Sequence, residues 1–223
     1  SVLFMNFNRL LWIDEASATQ LAGELEGILR ESQLNTNNVY IGGMSIGGNV
    51  ALTLSSYLHQ SKSDIAPKGT FIVDSPIDLY ALYRSSIKDI ANPDFDEERL
   101  AEPKWIVNYF EEEFSKDSLL FNIKEVSPFT LEIDHTSVSN LKDVKLRFYT
   151  APDSIWFMEN RQTEFEATNP FVIQQVAHNL KRYNWDRFEL IETKNKGYRA
   201  NGERHPHSWS IVDARDLMEW MKE

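Results

Sequence analysis

The stretch Gly43-Met44-Ser45-Ile46-Gly47 constrains this chain more than any other. Val39-Tyr40-Ile41 reads as a strand running straight into Gly42-Gly43. From Ile46 to His59 the spacing of Val50, Leu54, Tyr57 and Leu58 is helical. A serine squeezed into a tight strand-to-helix turn is pushed above the end of a parallel sheet. The turn strains its backbone and crowds the residues two before and two after it, which glycine at 43 and 47 accommodates. Gly48 lets the helix sit close to the sheet. The serine then lies at a helix N-terminus, where free N–H groups and the helix dipole favour developing negative charge, and the N–H of Ile46 is the natural oxyanion donor. A dinucleotide fingerprint needs G-x-G-x-x-G, and a P-loop needs Gly-Lys-Ser/Thr. Neither is present.

The rest of the chain supplies a matching rhythm. Val2–Met5 is a short apolar run expected to be a strand. Residues 15–31 carry Ala18, Leu21, Ala22, Leu25, Ile28 and Leu29 at helical spacing. Thr70–Val73, Lys145–Thr150 and Phe188–Glu192 read as further strands, giving five. Helices are expected from about Pro170 to Arg182 and after a capping-box-like Ser210 and Asp213. Strands separated by helices predict an α/β fold, a mostly parallel sheet flanked by helices. Residues 77–142 are too long for a simple crossover. Their acidic runs, Asp94–Glu98 and Glu111–Glu113, alternate with Trp105, Ile106, Tyr109 and Phe110. This predicts a helical insertion with charges facing water, placed as a cap over the site. The whole chain, 1–223, is read as one domain.

Charge and cysteine usage narrow the function classes. With 23 basic and 34 acidic residues the net charge is −11, which repels nucleic acid and anionic membrane surfaces. There is no cysteine, so thiol catalysis, disulfides and thiolate metal sites are excluded. No run of 18 apolar residues suggests a membrane span. The chain opens at Ser1 without a basic n-region, and reads as one that starts inside a fold. The expected partner is a small-molecule acyl substrate, and no cofactor is expected.

A serine hydroxyl needs a base and an orienting acid. Of five histidines, His59 ends the helix after Ser45, His135 lies in the insertion and His178 in a helical pattern. His205 and His207 occupy the loop after the last strand, above the carboxyl ends of the sheet. His207 is preferred because it abuts the helix start at Ser208-Trp209. His205-Pro206-His207 also admits a metal reading. The acid is expected at Asp153, just past the strand ending at Thr150, so that serine, aspartate and histidine follow in chain order. Asp74 is the reserve acid and Glu159 a weaker one.

Residues 39–54, Val-Tyr-Ile-Gly-Gly-Met-Ser-Ile-Gly-Gly-Asn-Val-Ala-Leu-Thr-Leu, resemble the nucleophile elbow and following helix of α/β-hydrolase esterases, lipases and peptidases. Ser127-Pro128-Phe129, followed by a strand and Asp153, resembles that family's run into its acid, and the loop with His207 its histidine loop. The resemblance implies a carboxylesterase-like serine hydrolase with a triad of Ser45, Asp153 and His207. An acyltransferase using the same serine and a non-catalytic binding protein on the same fold are the alternatives. The family usually has eight strands against five here. No His-Gly loop, its usual source of a second oxyanion N–H, precedes Ser45. Val2–Met5 followed by Asn6–Leu10 resembles the family's fourth strand, so the first strands are expected to be missing; the alternative is that Asn6-Phe7-Asn8 supplies that loop.

Overall fold

A computed structural model describes residues 1–7, 10–61, 63–131 and 136–222. The architecture is α/β, as the alternation predicts. In chain order the elements are α1 (Glu15–Glu31), β1 (Tyr40–Met44), α2 (Ile46–Gln60), β2 (Gly69–Val73), α3 (Leu79–Ile90), α4 (Glu97–Glu113), α5 (Leu119–Val126), β3 (Lys145–Thr150), α6 (Ser154–Arg161), α7 (Asn169–Arg182), β4 (Phe188–Glu192) and α8 (Ala214–Trp220). The strands form one parallel sheet in the order β1-β2-β3-β4.

Period-two alternation divides the side chains between the faces. Ile72, Leu146, Phe148 and Phe188 join α7 and Leu52 of α2 in one core. Phe71, Val73 and Tyr149 face the other way, against Ile211 and Trp220. α1 lies along α2 through Leu21, Leu25, Val50 and Leu54. On the α8 face, Arg147 is buried yet paired, to Glu189 at 2.6 Å and Asp216 at 2.9 Å. The Glu189 pair ties β3 to β4, and the Asp216 pair fastens α8 to the sheet.

Two expectations need correcting. Val2–Met5 forms no strand, and Val2 and Phe4 are 83% and 90% exposed. A short apolar run carries no periodicity, and without a partner strand its backbone groups turn to water. The last helix is capped by Asp213, which accepts from the N–H groups of Arg215 and Asp216; Ser210 sits in a preceding 3-10 turn. The region between β2 and β3 is helical, and its acidic residues Asp94, Asp96–Glu98 and Glu111–Glu113 are exposed as expected.

Helices α3, α4 and α5 build a small core of their own from Leu79, Tyr83, Ile106, Val107, Phe110 and Ile123. Leu11 and Trp12 complete it, the Trp12 ring stacking 5.4 Å from Phe110 and 5.0 Å from Phe114. The stems are sewn together at their base. Asp78 caps α3 by accepting from Ala81 N–H and also accepts from Leu131 N–H. Ser127 Oγ accepts from Leu79 N–H and donates to Ile123 O. No helix among the described residues is long and apolar enough to cross a membrane.

Candidate active site

Ser45 stands at the junction of β1 and α2 with φ 54° and ψ −134°. That region is sparsely populated for a residue with a Cβ, and such strain concentrates at functional sites. The Ser45 N–H donates to Val73 O at 3.0 Å, which ties the turn to the end of β2. A Cβ on Gly43 would lie 2.0 Å from the Gly47 carbonyl oxygen, and one on Gly48 1.9 Å from Ser75 Oγ. Both positions therefore require glycine. At Gly47 a Cβ would make only ordinary contact, 3.6 Å from the Phe7 ring, so the crowding expected on both sides of the serine is one-sided. The first N–H groups of α2 have no intrahelical partner, and Ile46 supplies the first of them beside Ser45. Asn8, part of the loop considered for a second donor, lies outside the described residues, as does His135.

The expected pairing of His207 with Asp153 is not formed; His207 meets another carboxylate. His207 Nδ1 is 2.7 Å from Asp74 Oδ2. A carboxylate oxygen only accepts, so Nδ1 carries a proton and donates to Asp74, which leaves Nε2 as the other ring nitrogen. Asp74 directly follows β2, the neighbour of the serine's strand. It is almost wholly buried and has φ 45°. Three contacts hold it there. Thr150 Oγ1 donates to Asp74 Oδ1 at 3.1 Å, Asn169 Nδ2 donates to its carbonyl at 3.0 Å, and its own N–H donates to Tyr149 O at 2.9 Å. No hydrogen bond joins Ser45 Oγ to His207 in this structure; such bonds often tighten only when substrate is bound.

Asp153, the expected acid, is occupied elsewhere. It caps α6 by accepting from Trp156 N–H at 3.0 Å and pairs with Arg204. Desolvation pushes its carboxyl up, but the Trp156 N–H and the Arg204 guanidinium outweigh it and hold the group below the usual aspartate value. Its share of stability is thus in place above the reference value of about 3.9, and is lost as pH falls through the lower folded value. Glu159 sits exposed on α6. Asp153→Ala is expected to cost about 1 kcal/mol of stability through the lost cap, read as a lower thermal midpoint, with no collapse of turnover.

His205 does not approach Asp74. Its Nδ1 is 3.0 Å from the His207 carbonyl and its Nε2 2.8 Å from Arg161 Nη2. Both ring nitrogens are engaged by protein groups, which leaves neither for the metal reading of His205 and His207. His59 bonds Pro67 O at the far end of α2.

No protein-family model and no curated protein matches the chain. Among solved structures it is similar to a Vlm2 thioesterase domain carrying genetically encoded 2,3-diaminopropionic acid and bound with a dodecadepsipeptide. The identity is 13% and the TM-score 0.42, and the match covers 94% of this chain and 73% of that one.

Proposed function

We propose that the chain is a serine hydrolase of the α/β-hydrolase type that cleaves a carboxylic ester or related acyl bond. Its triad is Ser45, His207 and Asp74. The observation that carries the reading is the His207–Asp74 bond, formed by residues 133 positions apart at the carboxyl end of the sheet, beside a strained serine at a helix N-terminus. Asp74 fixes the imidazole so that Nε2 is the free base. Nε2 takes the Ser45 proton as Oγ attacks the acyl carbon, and returns it to the leaving group. The oxyanion faces the Ile46 N–H. In the second half, water attacks the acyl-serine through the same base.

The three-helix region acts as a cap in this reading. Ile46, next to the nucleophile, packs against its core, as do Tyr80 and Leu82. An acyl group on Ser45 therefore lies against an apolar, helix-built surface, which favours ester and thioester substrates with an apolar acyl part.

The test is a fluorophosphonate probe followed by peptide mapping. The expected adduct is on the peptide containing Ser45. An ester panel of graded acyl length then reads the cap. An unlabelled Ser45, or turnover removed by a chelator, defeats the proposal.

A further inference from the structure

We propose that His205 is a positioning residue, clamped between Arg161 and the His207 carbonyl, that fixes the backbone carrying the base. The proposal rests on the reading of His207 as base given above.

The clamp dictates the state of the ring. A guanidinium can only donate, so Nε2, 2.8 Å from Arg161 Nη2, must offer its lone pair. A carbonyl can only accept, so Nδ1, 3.0 Å from His207 O, must carry the hydrogen. The ring is thereby fixed as the neutral Nδ1–H tautomer, complementary to its neighbours at both ends. The Trp156 ring packs edge-on at 5.1 Å and blocks rotation. The His205 N–H donates to Gly197 O at 2.6 Å, closing the hairpin in which Tyr198 bridges Arg204.

These contacts attach the loop to α6 at both ends of that helix. Asp153, its N-cap, holds Arg204, and Arg161, in its last turn, holds His205. Elsewhere the loop from β4 to α8 is held by the His207 ring on Asp74 and by Trp209 and Ile211 against the sheet. Pinning the His207 carbonyl as well removes the backbone freedom that lets an imidazole drift. A displacement of about 1 Å at a reacting group costs on the order of 10²-fold in rate.

The arrangement is also sensitive to protons. The charges acting on His205 are Arg199 on the hairpin, Arg161 on α6 and His207 in the loop. Asp153 and Arg204 are occupied with one another. Burial, reinforced by Arg199 and Arg161, holds His205 below the usual histidine range. A second proton on the ring sets donor against donor at Arg161 and releases the loop from α6. The clamp therefore needs His205 neutral.

The test compares His205→Asn and His205→Gln with the wild-type chain. Asparagine places an N–H where Nδ1 stands and keeps the bond to His207 O, whereas glutamine reaches only the Arg161 side. Steady-state ester kinetics are expected to show kcat for His205→Gln down on the order of 10²-fold with KM little changed, and largely restored in His205→Asn. The acid-side loss of kcat/KM that comes from protonating His205 should be present in the wild type and absent in His205→Asn. Proton NMR should show the low-field Nδ1–H of His207 in the wild type and in His205→Asn, and lose it in His205→Gln. That resonance reads the clamp without turnover, so a chain that hydrolyses nothing still decides the proposal while refuting the hydrolase reading. Equal losses in both variants, or an unchanged rate and resonance in His205→Gln, overturn it.

Discussion

Ser45→Ala is expected to lower ester turnover by about six orders of magnitude, close to total loss of triad chemistry, while the protein still folds. The serine packs little, and its Oγ makes no hydrogen bond among the described residues. Alanine at φ 54° is strained no more than serine, because both carry a Cβ. The melting curve should therefore overlay the wild type while the acyl-enzyme burst vanishes. Residual turnover comparable to wild type would mean that another group is the nucleophile.

Asp74→Asn is the second large effect, about four orders of magnitude in kcat. Thr150 Oγ1 donates to one carboxylate oxygen and His207 Nδ1–H to the other. If the asparagine carbonyl keeps Thr150, its NH₂ faces His207 and forces the imidazole proton onto Nε2, the wrong tautomer for a base. Asparagine tolerates the positive φ of 45° well, so the fold survives and the loss is chemical. Circular dichroism checks the first point and single-turnover kinetics the second. The ordering against Asp153→Ala is the sharper measurement. A small loss at 74 and a large one at 153 would return the acid to Asp153.

The elbow was legible because its chemistry and its sterics are local. Gly43, Ser45 and Gly48 are consecutive enough for their roles to be read from a strand and a helix alone. That the histidine loop lies above the carboxyl end of the sheet was legible because one loop leads from the last strand to the last helix. The acid was not. Asp74 and Asp153 each follow a strand, one directly after Val73 and the other three residues after Thr150, and chain order permits both. The choice is made by contacts that no pattern encodes. Arg204, from the histidine loop itself, takes Asp153, while Thr150 and Asn169 hold Asp74. One local signal did exist, since an aspartate just before the apolar start of a helix reads as an N-cap, and Asp153 is one. Asp74 precedes a proline-containing turn and has no capping task. Val2–Met5 failed for the opposite reason. A strand is a relationship between two segments, and its residues alone do not show whether a neighbour is there.

Trp12 has a mechanical consequence. Its ring is stacked inside the core of α3, α4 and α5, yet its backbone belongs to the lead-in of α1, which is packed along α2. Lifting the three helices as one rigid flap would pull an indole from between Phe110 and Phe114 or drag α1 from its bed. The three-helix region is thus riveted to the body of the domain at its centre, through an indole held by residues of α4 and its C-cap.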